Sequence, residues 1–585
     1  MALSTGYRRA PLPAPRSSPA AGTGCRGPQP ARGGARAASA GVPRRAAGVG
    51  RRPAHLARRR GFCRPGVGRH AVRGPRSYAP RRPRPRPRSR PRPSDTVTRL
   101  GAIVTALDRA GLLVQASPSA DPATWPEITG LTTDSRRVER GMLFCAVHGA
   151  VQDGHRFVPA AAAAGAVAAL VEQRQPAPLL EILVRDGRRA AAVAAETWFD
   201  RPGARLHLIG VTGTNGKTTS VVLARHVLSA LEPMGSIGTL GAFDPAGQAV
   251  PSEAGNLTTP GPIDLQATLA GLVVRGARGA AMEVSSHSLD QGRVDGLAFR
   301  AAIFTNLTRD HLDYHKTVEQ YFRAKAKLLD YLAPDGLEVV NADDPAWRRL
   351  RRGTGRRRVT FGENAADVTA RRVEMDASGS RFELVTPTGT APVRLPLLGR
   401  FNVSNALGVA ACAFGLGVPV DAVAERLSSA PQVPGRMERI ASRPCTVLRD
   451  YAHTPDALER ALEAVRPLTT GTVLVVFGAG GDRDPGKRAP MGAAAARLAD
   501  VAIATSDNPR GEDPERILDE VEAGMGTTPH HRIADRRAAI ALALKLARRD
   551  DTLLLAGKGH ETYQVIGTEK RPFDERVVVR ELGAS

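Results

Sequence analysis

A glycine-rich segment, Gly213-Thr214-Asn215-Gly216-Lys217-Thr218-Thr219, lies between an apolar run at residues 206–211 and a stretch at residues 220–231. The apolar run predicts a buried strand and the following stretch a helix, so the segment occupies a strand-to-helix turn. At such a turn, backbone N–H groups can bind phosphates, the Lys217 ammonium can reach the terminal ones, and the Thr218 hydroxyl can hold Mg²⁺. Val211 stands where the general motif has its first glycine, so only the shorter form is present. The segment predicts an α/β domain that binds a nucleotide.

A second constraint is a lysine on the apolar face of a predicted helix, residues 318–332. At about 100° per residue, its apolar side chains form one stripe, and Lys325 falls in the middle of that stripe, while Arg323, Lys327 and Asp330 point the other way. A buried ammonium is costly unless something pairs with it or modifies it. A lysine that extends past the edge of the core is the alternative interpretation. The stripe consists of Val318, Tyr321, Phe322, Leu328, Leu329 and Leu332.

Two apolar runs between these features end in polar side chains. Residues 280–287 predict a strand that carries Glu283 and the Ser285 hydroxyl at its carboxyl end, and residues 301–311 repeat the arrangement with Asp310 and His311. Open α/β sheets bind ligands at this edge. We interpret His315, four residues after His311, as a surface or core histidine rather than a metal ligand.

Together these segments resemble the Mur ligases, which build the peptide stem of bacterial peptidoglycan. The resemblance implies that Lys217, Glu283, His311 and Lys325 are catalytic. It also implies that Glu283 and Thr218 hold one Mg²⁺, and that His311 and a carbamylated Lys325 help to place a second. Carbamylation would convert the inward cation into an anion that can take part in metal binding. The ATP contacts implied by the resemblance are Gly213, Thr214, Asn215, Gly216, Lys217, Thr218, Thr219, Asn405 and Arg436.

The C-terminal third contains three predicted strands, residues 473–477, 501–505 and 552–556, each followed by a charged loop. The tetrapeptide after the second strand, Asp507-Asn508-Pro509-Arg510, resembles the amino-acid site of Mur ligases that add meso-diaminopimelate. A guanidinium binds a carboxylate through two hydrogen bonds, whereas the ε-ammonium of a lysine substrate would face like charge there. The diaminopimelate contacts implied by the resemblance are Arg483, Asp507, Asn508, Pro509, Arg510, Gly557 and Glu561.

The segment from residue 131 to residue 154 resembles the UDP-sugar domain of the same enzymes. The uridine contacts implied by the resemblance map onto Ser135 and onto residues 150–152. At residues 150–152 the usual Gly-His-Gln sequence is absent. Asn256, a neighbouring candidate for this contact, stands one residue from the place that some relatives use. The contacts implied for the UDP-muramoyl-peptide are Ser135, Thr258, Thr259, Ser285, Gln291 and Arg293.

These features predict an α/β chain with a three-domain Mur ligase architecture. A UDP-sugar-binding domain is expected over residues 97–200, a central P-loop domain with a parallel sheet over residues 201–433, and a C-terminal Rossmann-like amino-acid-binding domain over residues 434–585. The resemblance implies an ATP-dependent ligase that adds meso-diaminopimelate to UDP-N-acetylmuramoyl-L-alanyl-D-glutamate through an acyl phosphate. The alternatives are the same ligation with L-lysine, a folylpolyglutamate-synthase-like ligase, and a P-loop ATPase that binds nucleic acid.

The third alternative depends on charge alone. The chain of 585 residues has a formal net charge of +26. Residues 1–94 contain 24 of the 83 basic side chains, all arginine, and no acidic residue, so 59 basic residues face 57 acidic ones in the rest. The core is therefore nearly neutral, and we expect no nucleic acid as its partner.

Residues 1–96 are an Arg/Pro-rich extension without the apolar content to fold, so we expect disorder there. Three interpretations compete: a polyanion-binding arm, a transit peptide, or codons upstream of the true start. We favour the third, with Val97 as a candidate start, and the transit peptide is the second choice.

The remaining composition bears on location. The chain has no run of about twenty apolar residues, so a membrane span is not expected. Its five cysteines lack metal-binding spacing and suit a reducing cytoplasm. We expect a cytoplasmic monomer whose partners are the small-molecule substrates ATP, UDP-muramoyl-dipeptide and meso-diaminopimelate, with Mg²⁺ as cofactor.

Overall fold

The computed structural model describes residues 100–116, 125–149, 152–252 and 257–585. The predicted disordered extension at residues 1–96 lies outside these ranges, as do Ala150, Val151 and Asn256. Within these ranges, no helix combines the length and apolarity needed to cross a membrane.

The first part of the fold is a five-stranded sheet with strand order β1-β5-β4-β3-β2. Strand β1 is antiparallel to β5, and the other neighbours are parallel. Two helices cover one face through an apolar cluster that includes Leu107, Leu170 and Ala191. The strands are β1 (Leu113–Ala116), β2 (Leu131–Thr132), β3 (Leu143–Cys145), β4 (Ala168–Val171) and β5 (Leu180–Val184), and the helices are α1 (Leu100–Arg109), α2 (Val158–Ala163) and α3 (Gly187–Trp198).

The central sheet has eight strands in the order β13-β12-β11-β6-β10-β7-β8-β9. Strands β6, β7 and β10 to β13 are parallel, and a meander of β8 and β9 continues the β7 edge in antiparallel fashion. The strands are β6 (His207–Thr212), β7 (Met234–Gly238), β8 (Gly241–Phe243), β9 (Ala249–Val250), β10 (Gly279–Glu283), β11 (Phe299–Phe304), β12 (Leu332–Asn341) and β13 (Arg358–Phe361). The helices are α4 (Lys217–Leu228), α5 (Pro262–Val274), α6 (Ser286–Asp290), α7 (Leu312–His315) and α8 (Val318–Ala326).

Both faces of this sheet are covered, which explains why its strands are almost continuously apolar. Strand β6 lies between β11 and β10, so the carboxyl ends of three neighbouring strands meet beside the glycine-rich segment. The helix after that segment begins at Lys217 rather than at residue 220, because helical geometry starts directly after Gly216.

The predicted helix over residues 318–332 is too long. Helix α8 ends at Ala326, residues 327–331 form a 3₁₀ turn, and Leu332 begins β12. Val318, assigned to the buried stripe, is 46% exposed at the first position of the helix. Leu328 and Leu329 are buried in the 3₁₀ turn. Apolar spacing over so few residues does not distinguish a period of 3.0 from one of 3.6, so the pattern continued past the true end.

An antiparallel sheet of three strands follows the central sheet, and sequence analysis did not predict it. Its inner face packs against two helices through Phe382, Leu384, Val393 and Leu407. The strands are β14 (Thr369–Asp376), β15 (Gly379–Thr386) and β16 (Gly389–Leu395), and the helices are α9 (Arg400–Gly415) and α10 (Val420–Ser428).

The C-terminal sheet has the strand order β17-β18-β22-β19-β20-β21, and all neighbours are parallel except β17 and β18. The predicted strands at 473–477 and 552–556 are confirmed, and the one at 501–505 ends one residue earlier. The strands are β17 (Glu438–Ala441), β18 (Thr446–Asp450), β19 (Val473–Phe477), β20 (Val501–Ala504), β21 (His531–Arg532) and β22 (Thr552–Ala556), followed by a hairpin of β23 (Tyr563–Ile566) and β24 (Glu569–Pro572). The helices are α11 (Pro455–Val465), α12 (Arg488–Leu498), α13 (Pro514–Met525), α14 (Arg536–Leu546) and α15 (Glu575–Glu581).

Candidate functional site

The glycine-rich segment forms a tight loop between β6 and α4. Gly213 and Gly216 have φ values of 148° and 86°, which favour glycine. A Cβ atom at Gly213 would lie 1.9 Å from Thr305 Oγ1, and one at Gly216 would lie 2.2 Å from Asn405 Oδ1. Space as well as backbone conformation therefore requires glycine at both positions. Because the first N–H groups of α4 have no partner within the helix, they are available to bind an anion at its start.

The end of strand β11 holds this loop in place. The Thr214 N–H donates to the Asn306 carbonyl (2.7 Å), and the Asn215 N–H donates to Asn306 Oδ1 (2.9 Å). Thr305 Oγ1 donates to the Asn215 carbonyl (2.7 Å). Thr305 and Asn306 therefore shape the phosphate loop, a role that sequence analysis did not assign to them.

Lys325 points into the protein, as predicted, with only 1% of its surface exposed. Its Nζ donates to the Gly213 carbonyl at 2.8 Å and lies 4.4 Å from the centroid of the Tyr321 ring. Burial, reinforced by the charge of Lys217, lowers the pKa of Lys325 well below its usual value, and Asp310 only partly opposes this shift. The structure thus brings an amine that deprotonates readily to the phosphate loop.

Lys217 shares the same carbonyl. Its Nζ donates to Gly213 (2.9 Å) and to Thr214 (2.7 Å). Burial lowers the pKa of Lys217, while the nearby carboxylates of Glu283 and Asp310 raise it. The side-chain nitrogens of Lys217 and Lys325 therefore converge on one carbonyl oxygen, an arrangement that favours the arrival of negative charge.

The opposite face of α8 and of the 3₁₀ turn that follows it is solvated, as expected. Lys327 pairs with Asp290 at 2.8 Å, and Arg323 pairs with Glu319 at 3.0 Å, all with substantially exposed side chains. Exposed ion pairs contribute little to stability. Lys327 is therefore a suitable control for changes at Lys325.

Glu283 is the last residue of β10 and is 1% exposed. It lies opposite Val211 of β6, which places its carboxylate at the level of the phosphate loop. Its Oε1 accepts from the Thr239 N–H at 2.8 Å, and its Oε2 accepts from the Thr239 hydroxyl at 3.3 Å. Among the described residues, both oxygens of this buried carboxylate are therefore held by neutral donors of a single residue, Thr239.

Arg436 reaches the loop from the segment before β17. Its Nη2 donates to Thr218 Oγ1 at 3.2 Å, and its guanidinium lies 4.7 Å from the centroid of the Tyr451 ring. Asn405, the other predicted nucleotide contact outside the loop, is buried in α9 and donates to Asn402 Oδ1 at 3.0 Å. Both residues therefore lie at the loop.

The donor set beside the loop fits Mg²⁺. The Glu283 carboxylate and the Thr218 hydroxyl supply oxygen atoms, which this ion prefers. Lys325 as an amine supplies only nitrogen, and it becomes an oxygen donor when carbamylated. Among the predicted metal ligands, Lys325 therefore depends on modification to fit the ion.

His311 lies in a group of aromatic rings. Its backbone has a φ of 52°, and its ring centroid is 4.8 Å from that of His287 and 6.1 Å from that of Tyr321. His315 is buried and its Nε2 lies 3.0 Å from the Ser286 hydroxyl, so it belongs to the core rather than to the surface. Sequence analysis assigned no role to His287, because its contact with His311 is not visible from spacing.

Five of the residues predicted to bind the muramoyl-peptide lie together beside Glu283. Thr259 Oγ1 donates to the Glu283 carbonyl (2.9 Å) and accepts from the Ser285 N–H (3.1 Å). Arg293 donates to the Thr259 carbonyl (3.0 Å) and to Gln291 Oε1 (3.0 Å). The Thr258 hydroxyl accepts from that of Thr239 at 3.2 Å. The sixth residue, Ser135, is elsewhere, at the start of a 3₁₀ turn in the N-terminal sheet region.

The Asp507–Arg510 loop follows β20 and is bound to the β23–β24 hairpin. The Arg510 N–H donates to the Val565 carbonyl (3.0 Å), and its carbonyl accepts from the Gly567 N–H (2.7 Å). These bonds hold Arg510 at a φ of 52°, a conformation that a residue other than glycine adopts at some cost. Its Nη1 donates to the Gly481 carbonyl at 2.8 Å. The backbone conformation of Arg510 and the contact with Gly481 thus determine the direction of the guanidinium.

The other predicted amino-acid contacts surround this arginine. Asn508 Nδ2 donates to Glu561 Oε2 at 2.9 Å. A Cβ atom at Gly557 would lie 2.5 Å from Asp507 Oδ2, and one at Gly480 would lie 3.0 Å from Arg510 and 3.9 Å from Arg483. The Pro509 carbonyl packs against Gly481. All seven predicted residues are therefore brought to the carboxyl edge of the C-terminal sheet.

His560, in the loop after β22, gives a pH-dependent prediction. Its Nδ1 is buried without a hydrogen-bond partner among the described residues, and its ring centroid lies 5.5 Å from that of Tyr451. Burial, together with the positive charges of Arg436 and Arg449, lowers the pKa of His560 to about 4.

A histidine in the unfolded chain has a pKa of about 6.5, so between about pH 6.5 and pH 4 the unfolded state binds a proton that the folded state lacks. Above this window His560 is neutral in both states and does not lower the free energy of unfolding. As the pH falls through the window, proton uptake by the unfolded state lowers that free energy. We expect acidification over this window to lower the free energy of unfolding of the wild type by about 1–3 kcal/mol more than that of His560→Gln. Urea denaturation of both proteins across this range measures it, and parallel pH profiles would contradict the assignment.

Three family models match the chain. Residues 127–195 match the Mur ligase family, catalytic domain; residues 211–413 match the Mur ligase middle domain; and residues 435–559 match the Mur ligase, glutamate ligase domain. These matches fall in turn on most of the N-terminal sheet, most of the central sheet and the C-terminal sheet. The predicted fold class, a three-domain Mur ligase architecture, is confirmed by them, while the domain boundaries at residues 200 and 433 stay predictions.

Named relatives match over most of their length. The chain is 45% identical to the UDP-N-acetylmuramoyl-L-alanyl-D-glutamate--2,6-diaminopimelate ligase of Geobacillus kaustophilus over 78% of this chain and 94% of the relative. It is 46% identical to the enzyme of the same name from Synechococcus elongatus, over 77% of this chain and 93% of that one. A solved structure of a ligase with this name is 34% identical in sequence and has a TM-score of 0.56. The match spans 80% of this chain and 97% of the chain in that structure. The chain belongs to the Mur ligase family.

Proposed function

We propose that this chain is the ATP-dependent ligase that adds meso-diaminopimelate to UDP-N-acetylmuramoyl-L-alanyl-D-glutamate in peptidoglycan synthesis. One observation carries the proposal: the same body contains a phosphate loop with a buried carboxylate and a buried lysine, and a second polar site built around Arg510. Relatives more than 40% identical over nearly their whole length carry this ligase name.

The reaction has two steps. The terminal carboxylate of the muramoyl-dipeptide attacks the γ-phosphorus of ATP, which forms an acyl phosphate and releases ADP. An amine of diaminopimelate then attacks the acyl carbon, the amide bond forms, and inorganic phosphate leaves with the bonding electrons. Each step requires that the reacting groups be held in line and that charge on the phosphoryl group be offset.

For the first step, the residues around the phosphate loop serve both requirements. The N–H groups at the start of α4 would bind the nucleotide phosphates, and Lys217, whose Nζ donates to two loop carbonyls, would reach the terminal phosphate. Glu283 and Thr218 would hold Mg²⁺, which when bound offsets negative charge on the phosphates. Arg436, which donates to the Thr218 hydroxyl, would contact the same nucleotide.

Lys325 has a chemical role that its burial makes possible. A lowered pKa raises the fraction of Lys325 that is the neutral amine, and a neutral amine combines with CO₂ to form a carbamate while releasing a proton. The product is an anion, which attracts the positive charge of the neighbouring Lys217. We propose that the carbamylated form is the active form and that, with His311, it helps to hold a second Mg²⁺.

The muramoyl-peptide lies against the hydrogen-bonded group formed by Thr259, Ser285, Gln291 and Arg293, which adjoins Glu283. Binding there would bring the substrate carboxylate to the phosphate loop. In the described residues Cys145, Cys412 and Cys445 are buried and free, which accords with a reducing cytoplasm as the place of synthesis.

Substrate choice depends on Arg510. We expect Arg510→Ala to raise the KM for meso-diaminopimelate about tenfold to a hundredfold, because a bidentate charged pair contributes about 1.5–3 kcal/mol. The KM values for ATP and the UDP-substrate should stay near those of the wild type, and discrimination against L-lysine should weaken. Steady-state kinetics with each amino acid measures both effects.

Arg516→Ala is the matched control, since Arg516 is an exposed arginine on the neighbouring helix α13. It should behave as the wild type with all three substrates. An unchanged preference between diaminopimelate and lysine in Arg510→Ala would show that this arginine does not select the substrate.

A further inference from the structure

Lys558 is a completely buried lysine in the loop after β22, next to the candidate amino-acid site. Its Nζ donates to Glu561 Oε2 at 3.0 Å and to Asn508 Oδ1 at 3.1 Å. A buried ammonium is tolerated only where such partners offset its lost hydration. Lys558 is therefore tied to two residues of the amino-acid site.

These contacts fix the orientation of the Asn508 amide. Its Oδ1 accepts from Lys558 Nζ and from the Val565 N–H (2.9 Å), while its Nδ2 donates to Glu561 Oε2. Only an oxygen can accept from both an ammonium and a backbone N–H, so the reversed amide would lose these bonds. Asn508 thus connects the loop that carries Lys558 to the β23–β24 hairpin through hydrogen bonds.

The same contacts fix Glu561. Its Oε2 accepts from both Lys558 and Asn508, whereas its Oε1 has no hydrogen bond to any other described residue. The side chain of Glu561 is 15% exposed, so it lies at the border between the protein interior and the site. A carboxylate that is anchored by one oxygen and open at the other suits the ammonium group of an amino acid.

We propose that Lys558 is a positioning residue of the amino-acid site: it holds Glu561 and Asn508 so that the open oxygen of Glu561 faces the ammonium group of the amino-acid substrate. This inference rests on the proposed function. Lys558 itself does not touch the substrate, because its ammonium is buried behind Glu561 and Asn508.

The first test is Lys558→Met, which removes the charge and keeps most of the buried volume. We expect the KM for meso-diaminopimelate to rise about tenfold or more, kcat to change less than about threefold, and the KM for ATP to stay within about twofold. Lys545→Met is the control, since Lys545 is an exposed lysine in the last turn of α14. An unchanged KM for diaminopimelate in Lys558→Met would overturn the proposal.

A double-mutant cycle separates positioning from a merely structural role. In a Glu561→Gln background, Lys558→Met should raise the KM for diaminopimelate by less than about threefold further, because the carboxylate that it orients is already gone. An equal effect of Lys558→Met in both backgrounds would overturn the proposal. The double variant has no unpaired buried charge, so it also remains testable if the single variant fails to fold, and thermal unfolding of all four proteins monitors this.

The wild-type reaction separates this inference from the function on which it rests. A wild type that does not use diaminopimelate would remove the proposed function. A wild type that uses it, together with an unaffected Lys558→Met, would remove only the role of Lys558.

Discussion

Lys325→Ala should abolish ligation while leaving the protein folded. The side chain is fully buried, lies against the phosphate loop, and has a pKa lowered well below its usual value. Its removal takes away a buried amine that is costly in the free protein, so the free energy of unfolding should not fall sharply. Phosphate release in the presence of all three substrates and thermal unfolding of the same preparation measure the two effects.

If the carbamate is the active group, added short carboxylates should partly restore turnover to Lys325→Ala, since they supply the missing anion. The wild type in ¹³C-labelled bicarbonate should show a carbamate carbon in its NMR spectrum that Lys325→Ala lacks.

Lys327→Ala provides the control because Lys327 lies on the other face and loses only an exposed ion pair with Asp290. Its turnover should equal that of the wild type. Equal losses in the two variants would refute the argument from the faces of α8.

The second large effect is expected at Glu283 and Lys217. Each single change to alanine should lower kcat by about 10²–10⁴-fold, because both groups act on charge that develops during phosphoryl transfer. Glu283→Ala should also weaken the dependence of turnover on Mg²⁺ concentration, whereas Lys217→Ala should leave that dependence intact. Titrations of turnover against Mg²⁺ for both variants distinguish them.

Glu232→Ala is the matched control for the buried carboxylate. Glu232 pairs with His207 at the start of β6, at the sheet edge opposite to the phosphate loop. Its loss should leave kcat within about twofold of the wild type. Normal turnover of Glu283→Ala at ordinary Mg²⁺ would exclude Glu283 from the metal site.

The features that sequence analysis predicted well are local. A strand, a glycine-rich turn and a helix follow one another within residues 206–228, so composition and periodicity suffice to place Lys217 and Thr218 at the loop. The inward direction of Lys325 was also predictable, because helical spacing over a few turns determines which face a side chain occupies.

The features that it missed depend on contacts between distant segments. Thr305 and Asn306 shape the loop across about ninety positions of sequence, and Lys558 meets Asn508 across fifty. No local pattern encodes such pairs, since they arise only when parallel strands bring their carboxyl ends together. The sheet of β14 to β16 was missed for a different reason: β14 carries Arg371, Arg372, Glu374 and Asp376, so it lacks the apolar run by which the buried strands were recognised.

The central claim is tested most directly by one assay of the wild-type protein. ATP consumption and product mass would be measured with UDP-N-acetylmuramoyl-L-alanyl-D-glutamate and, in turn, meso-diaminopimelate, L-lysine and no amino acid. The account predicts sustained ADP formation and a new amide product with meso-diaminopimelate, and little of either with L-lysine or without an amino acid. Equal turnover with L-lysine, or ATP consumption independent of the UDP-substrate, would contradict it.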